Sequence, residues 1–186
     1  MNEFINTKVL NVLQPNNAKF LINEFNYIED DCLELWIDLS DAVQRSLADQ
    51  EMLNTSFGDL IFMEDEQDVL KISEGNDVFV SLLLLLKALY VEVKDYDKDL
   101  FVEELKDVEK CFYLGDELRI VSDDKNSSLI SILKTGIVGD DDNSSYACCY
   151  RYYQGLVNQH ARVREVLNGV VIQLLLYKFS FNVKVM

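Results

Sequence analysis

Spaced carboxylates near the middle of the chain have part of the pattern of a calcium-binding loop. Asp95, Asp97 and Asp99 have the alternate spacing that opens an EF-hand. That loop also needs Gly at its sixth position and Glu at its twelfth, where this chain has Leu100 and Lys106. We therefore expect a solvated acidic turn at these residues, and no metal site.

Two further groups could in principle bind a metal ion or transfer a proton. The adjacent carboxylates of Asp140–Asp142 cannot all point at one ion in an extended loop, so we expect a solvated loop there. His160 is the only histidine, and Cys148 and Cys149 precede it by roughly 16–18 Å if one straight helix carries all three. A Cys–His catalytic pair is therefore not expected.

Phosphate-binding loops are missing from the sequence. Neither Gly-x-Gly nor Gly-Lys-Ser/Thr occurs, which argues against a dinucleotide or nucleoside triphosphate cofactor. Tyr146, Tyr150 and Tyr153 have helical spacing, which favours a core or protein-interface face over a base-stacking site. We expect a non-catalytic protein without cofactors; an enzyme site assembled from scattered carboxylates is a less favoured alternative.

Acidic residues dominate the charge of the chain. The 186 residues include 33 acids and 17 Lys or Arg, a net charge of −16, whereas a magnitude of about 2–8 suffices for solubility. This charge opposes direct binding of nucleic acid and favours a basic protein partner. The residues predicted to contact that partner form two clusters: Glu29, Asp30 and Asp31, and then Glu64, Asp65, Glu66 and Asp68.

Charge is also distributed unevenly along the chain. The first 142 residues contain 12 bases and 32 acids, whereas residues 143–186 contain five bases and one acid. We expect the basic C-terminal segment to be helical and to pack beside acidic neighbours in the same fold, with an anion site as the alternative. The loop at 139–143 marks the only expected seam in a single acidic globular domain spanning residues 1–186.

Apolar periodicity predicts a mostly α fold, a compact domain of about six or seven helices. We expect helices at 2–13, from Asn16 or Asn17 to Phe25, and at 30–53. The predicted core face of the third helix consists of Leu33, Trp36, Ile37, Val43 and Leu47. Further helices are expected at 76–90, 99–113 and 127–135, and from about 144 to 177 with a break near Gly155 or Gly169. Five consecutive leucines, Leu82–Leu86, predict a central helix buried on every side.

Strand signals are weaker than helix signals. Two short apolar runs between residues 59 and 72 flank an acidic link and predict a small β-hairpin. A further strand, outside this hairpin, is expected at 117–122. An α+β fold is the alternative that these segments leave open.

Thiol pattern and hydropathy indicate the compartment. Cys32, Cys111, Cys148 and Cys149 do not resemble the disulfide framework of a secreted domain, so we expect reduced thiols and a cytoplasmic location. The apolar run 78–91 is shorter than the roughly 20 residues that cross a bilayer, so no membrane association is expected.

These observations lead to one functional expectation and one alternative. We expect an acidic binding protein that docks on a basic partner and neutralises it, as an inhibitor or immunity-type antitoxin does. A nucleic-acid-binding enzyme is the natural target, because its phosphate-binding surface is cationic. The alternative is a structural or assembly subunit, for example a viral one, that forms homo-oligomers.

Overall fold

The chain folds into seven helices and seven strands in the part that the computed structural model describes, the backbone of residues 3–163 and 167–186 with the side chains of residues 3–159 and 168–186. The helices are α1 (Val9–Leu13), α2 (Glu29–Leu47), α3 (Asn76–Tyr96), α4 (Val102–Phe112), α5 (Ser127–Thr135), α6 (Ser145–Val163) and α7 (Leu167–Tyr177). The strands are β1 (Ile5–Lys8), β2 (Lys19–Leu21), β3 (Ser56–Glu64), β4 (Val69–Glu74), β5 (Tyr113–Leu114), β6 (Glu117–Leu118) and β7 (Ser180–Val185). The expected mostly α fold with a small hairpin is wrong, because the protein is α+β.

Five of these strands form one mixed sheet, in the order β1–β7–β3–β4–β2. The pairs β1–β7 and β3–β4 are antiparallel, whereas β7–β3 and β4–β2 are parallel. Leu60, Phe62, Ile72 and Phe181 are buried from this sheet and join the helices in one hydrophobic core. Side chains alternate across a strand, so Leu60 and Phe62 of β3 are buried whereas Ile61 between them is only half-buried.

The predicted hairpin lies at the centre of this sheet. Strands β3 and β4 flank the acidic link, where the Asp65 N–H donates to the Val69 carbonyl over 3.1 Å. Asp68 closes the turn with φ +61°, a left-handed conformation that Asp tolerates better than most residues. The hairpin itself is confirmed, but it belongs to a sheet whose outer strands the sequence did not indicate.

Helix α3 is the central helix, as the leucine run predicts. Leu82–Leu86 are at most 2% exposed, and α3 packs against α6, α7, α4 and α5. Gly75 joins β4 to α3 with φ +83°, and a Cβ there would lie 2.7 Å from the Asp59 carbonyl oxygen. Glycine is therefore required where the sheet turns directly into the core helix.

The predictions for the two helices expected before residue 26 are wrong. Ile5–Lys8 pairs with Ser180–Val183 as β1, so only Val9–Leu13 of the first is helical. The second is absent from the described residues, because Lys19–Leu21 forms β2 alongside β4 and Phe20 exchanges backbone hydrogen bonds with Arg119 and Val121. Pairing with distant backbone overrides a local apolar pattern in both segments.

After α3, the helices lie close to their predicted positions, whereas the strands differ from the prediction. The long C-terminal helical region is present as α6 and α7, and Gly155 and Gly169 lie within these helices. The strand expected at 117–122 is reduced to β6, which pairs only with β5, and an isolated bridge from Ile120 to Phe20. Residues after α7 form β7, so the basic C-terminal segment is not helical throughout.

Helix length and hydropathy decide whether a helix can span a bilayer. None of the helices in the described residues is both long enough and apolar enough to cross a membrane. The 139–143 loop joins α5 to α6, which pack against each other and against α3. The single-domain assignment stays a prediction.

Candidate functional site

Helix α2 carries the first predicted acidic cluster in its first turn. Glu29, Asp30 and Asp31 lie there, where carboxylates stabilise the positive end of the helix dipole. The inner side of the helix is buried through Cys32, Leu35, Trp36, Leu39, Ala42 and Val43. Helix α2 is therefore held firmly on the core while its acidic side faces solvent.

Three apolar side chains of α2 face solvent, although the sequence predicted them inward. Leu33 is 37% exposed, Ile37 is 55% exposed and Leu47 is 59% exposed. Periodicity places apolar residues on a helix stripe but does not say which stripe meets the core, and α2 has two. Leu33 and Ile37 are neighbours at i and i+4, so they form one apolar patch on the outer side.

Carboxylates border this patch along one side and at the start of the helix. The α2 face is defined as Leu33 and Ile37 together with the six acids of the helix, Glu29, Asp30, Asp31, Glu34, Asp38 and Asp41. Arg45 is the only base in α2, and its Nε donates to Asp41 over 2.8 Å. The face therefore has an apolar centre and a strongly negative rim.

Aromatic side chains extend the α2 face beyond the start of the helix. The half-buried rings of Tyr27 and Tyr152 lie 6.3 Å apart between their centroids. Burial and then the charge of Glu29 raise the pKa of Tyr27 to about 12. Both phenols thus stay neutral at physiological pH and present ring surface beside the acids.

The second predicted cluster lies elsewhere. Glu64, Asp65, Glu66 and Asp68, here the turn cluster, stand at the β3–β4 turn, where β4 begins. The opposite end of β4 leads into α3, whose Asp77 accepts the N–H of Asn26 shortly before α2. Six residues of strand, roughly 20 Å, therefore separate the turn cluster from the region of the α2 face, so the fold does not unite the two.

Below the α2 face lies a buried polar cluster that the sequence did not indicate. Cys32 of α2 lies 3.7 Å from the Cys149 sulfur of α6 and 3.7 Å from the Ser81 hydroxyl of α3. Ser81 also shares a short hydrogen bond with the fully buried Tyr153 hydroxyl. Cys149 is adjacent to Cys148 in the sequence, and only the packing of α2 on α6 brings Cys32 close to Cys149.

The two thiols of this cluster differ in acidity. The hydrogen bond from Cys149, outweighing burial, lowers the pKa of Cys32 to about 6. The same hydrogen bond and burial raise the pKa of Cys149 well above its ordinary value. Within this pair Cys32 is therefore the more acidic thiol. All four cysteines are free.

The groups considered for metal or proton chemistry are dispersed in the fold. Among the described residues, no three His, Cys, Asp or Glu side chains lie close enough to hold a metal ion. Asp142 instead accepts hydrogen bonds from Ser128 and from the backbone N–H of Ser144, which lower its pKa. The His160 side chain lies outside the described residues.

The basic C-terminal segment contributes little ion pairing. The three ion pairs seen among the described side chains, those of residues 3–159 and 168–186, join Lys19 to Glu117, Arg45 to Asp41 and Lys106 to Glu103. Arg151, from the segment itself, donates to the Gly139 carbonyl over 2.6 Å. The expected packing against acidic neighbours is therefore not seen as ion pairs among the described side chains, which do not include those of Arg162 and Arg164.

No family model matches the chain, and no curated protein shows significant similarity to it.

Proposed function

We propose that this protein is a non-catalytic binding protein that docks a basic protein on its α2 face and neutralises it. The observation that carries the proposal is the exposed pair Leu33 and Ile37 beside the carboxylates of the same helix. An inhibitor or immunity-type antitoxin against a nucleic-acid-binding enzyme would act in this way, because such an enzyme presents a cationic phosphate-binding surface. We also propose a cytoplasmic location, since a reducing compartment keeps four free thiols reduced.

The anatomy of the α2 face resembles that of a protein interface. Interfaces have an apolar centre that loses its water on binding and a polar rim that stays wet. Leu33 and Ile37 supply the centre, Tyr27 and Tyr152 add aromatic surface, and the acids form the rim. The inner side of α2 is packed, so docking requires no rearrangement of the helix.

Charge selects the partner for this face. A basic surface would meet six carboxylates and one arginine on α2, and opposite charges speed encounter and exclude acidic competitors. A second copy of this chain would set the same carboxylates against each other in a two-fold interface. Charge therefore favours a basic partner over the alternative of a homo-oligomeric assembly subunit.

In this proposal the turn cluster acts on the partner from a distance and does not contact it at the α2 face. Glu64, Asp65, Glu66 and Asp68 lie about the length of β4 from the region of the α2 face, beyond the Debye length of about 8 Å at physiological salt. They steer the approach of a cationic partner at low salt. Their contribution disappears as salt rises, whereas that of Glu29, Asp30 and Asp31 persists.

The test compares matched variants as baits against lysate of the native host. The apolar variant is Leu33→Ser with Ile37→Ser. The near-charge variant reverses Glu29, Asp30 and Asp31 to Lys, and the far-charge variant reverses Glu64, Asp65 and Glu66 to Lys, so both change the net charge equally. Any protein retained by the wild type is purified, and its association and dissociation rates are measured across a salt series.

The expected result is a partner of positive net charge whose binding depends on the α2 face. The apolar variant should weaken binding at least about tenfold, mainly through faster dissociation. The near-charge variant should slow association at all salt concentrations, and the far-charge variant only at low salt. A neutral or acidic partner, or binding unaffected by the apolar variant, overturns the proposal, and self-association that the apolar variant abolishes favours the assembly subunit.

A further inference from the structure

Five lysines of this acidic protein line one cleft. They come from three helices: Lys87 and Lys94 from α3, Lys106 and Lys110 from α4, and Lys134 from α5. The first 142 residues contain only 12 bases, so nearly half of them line this single cavity. We call it the lysine cleft.

Lys87 is the buried member of the lysine cleft. It is 6% exposed, and its ammonium lies 5.0 Å from the ring centre of Tyr90 and 5.4 Å from that of Phe112. It has neither a hydrogen bond nor an ion pair with any described residue. Burying a charge without such a partner destabilises a fold, and cation–π contacts offset only part of that cost.

The other groups of the cleft do not neutralise its charge. Glu109 is the only carboxylate in the lining, and it accepts a hydrogen bond from the Tyr90 hydroxyl. The Lys94 ammonium also lies over the Tyr90 ring at 5.4 Å, and Lys106 pairs with Glu103 outside the cleft. In the described part of the chain, Lys87, Lys94, Lys110 and Lys134 have no carboxylate within 4.0 Å.

Backbone contacts hold the walls of the cleft in place. The buried Arg119 guanidinium donates to the Lys110 carbonyl at the end of α4 and to the carbonyls of Pro15 and Ala18. Gly136 ends α5 with φ +68° and lies against α3, where a Cβ would approach Val91 to 2.7 Å. Because α4 and α5 also pack directly on α3, the repulsion between lysines is built into the fold.

The size and lining of the cleft indicate its ligand. Its volume is about 550 Å³, within the range of small-molecule sites, about 300–1,000 Å³. Lysines bind phosphate oxygens as point charges, and Tyr90, Phe112 and Tyr113 add aromatic surface. A nucleic-acid strand would have to continue beyond the cleft over a protein of net charge −16.

We propose that the lysine cleft binds a small molecule carrying two or more phosphate groups. Lys87 contacts the most deeply placed phosphate from the floor of the cleft, and Lys94, Lys110 and Lys134 hold the others at the rim. Because screening limits exposed charges to about 8–10 Å at physiological salt, the local lysines outweigh the distant acids. This site is separate from the α2 face and does not depend on the protein partner proposed above.

The acidity of Lys87 supports this assignment. Burial, and then the charge of Lys94, lowers the pKa of Lys87 to about 8, although Glu109 opposes the shift. The other groups that face it are Tyr90, Lys106, Lys110, Tyr113 and Lys134. A bound phosphate favours the charged form of Lys87, so binding should weaken as pH rises past about 8.

The test is a calorimetric titration of the whole chain with pyrophosphate, tripolyphosphate and adenosine diphosphate at about 0.15 M salt. The cleft variant is Lys110→Gln with Lys134→Gln. Its control is Lys71→Gln with Lys125→Gln, which removes the same two charges from outside the cleft. A third variant, Lys87→Met, removes the buried charge while keeping most of the side-chain volume.

The expected result is saturable binding that the cleft variant weakens at least about tenfold and the control changes little. Lys87→Met should abolish both tight binding and its fall above pH 8, without lowering the melting temperature, because an apolar group replaces an unpaired buried charge. Tighter binding of adenosine diphosphate than of pyrophosphate identifies a nucleotide, and equal binding identifies a free polyphosphate. No saturable binding at millimolar ligand, or equal losses in the cleft and control variants, overturns the proposal.

Discussion

The α2 face and the lysine cleft differ in charge, shape and position along the chain. The α2 face lies on the outer side of a single helix and combines six carboxylates with two exposed apolar side chains. The lysine cleft is concave, with a buried ammonium between aromatic rings. One has the form of a surface for a macromolecule, and the other has the form of a pocket for a small anion.

This contrast shows which kinds of site a sequence reveals. The acids of the α2 face stand within 13 consecutive residues, so the amino-acid sequence alone displays the cluster. The cleft lysines are spread from Lys87 to Lys134 on three helices, and no sequence motif links them. Only the packing of α4 and α5 against α3 brings them together.

The largest effect should come from the core helix on which the lysine cleft is built. Leu84→Ala should lower the free energy of unfolding by about 2–5 kcal/mol, because Leu84 is fully buried and its truncation leaves a cavity. Urea denaturation measures the change, with Leu100→Ala as the control, since Leu100 is 68% exposed. Losses below about 1 kcal/mol at every position from Leu82 to Leu86 would remove α3 from the core.

An intermediate effect should come from the charge of Lys87. Its pKa falls from 10.5 to about 8 on folding, so between these values the unfolded chain binds a proton that the folded chain does not. Stability should therefore rise with pH across that window, by on the order of 1–3 kcal/mol, and stay flat below pH 8 as far as Lys87 is concerned. Urea denaturation at several pH values checks this.

Lys87→Met is the matched control for that rise. Other lysines and tyrosines also titrate in this range, so the informative quantity is the difference in the free energy of unfolding between wild type and variant. That difference should shrink as pH approaches 10.5. A constant difference would mean that Lys87 keeps an ordinary pKa, and the contrast between a buried cation and exposed anions would disappear.

The smallest effect should come from the α2 face. Ile37→Ser should change the free energy of unfolding by less than about 0.5 kcal/mol, because Ile37 is exposed on the outer side of α2. The companion variant Leu39→Ser, on the buried side of the same helix, should cost several-fold more. Comparable losses for both variants in urea denaturation would place Ile37 in the core and leave the face without its apolar centre.

Helices were more predictable from this sequence than strands for a physical reason. A long helix such as α3 is decided by its own residues, and Leu82–Leu86 alone indicate its burial. The short strands β1 and β2 are stabilised by hydrogen bonds to backbone far away in sequence, and their few residues carry little periodicity. Strand β7 was an exception, since Phe181, Val183 and Val185 alternate with polar residues and could have been recognised.

The candidate sites were predictable to a different extent. The positions of Glu29, Asp30 and Asp31 at the start of a helix followed from the sequence. The exposure of Leu33 and Ile37 did not, because a helix with apolar residues on two sides does not specify which side is packed. The meeting of Cys32 with Cys149 also required the packing of two distant helices.

The position of β7 in the sheet has a consequence for how the chain is made. β7 lies between β1 and β3, so neither strand has its full set of neighbours until Ser180–Val185 has left the ribosome. Until then the nascent chain carries an open edge on β3, and open edges recruit strands from other chains. The hazard of aggregation should therefore be concentrated in the interval before β7 emerges, when a chaperone that shields sheet edges would improve the yield of folded protein.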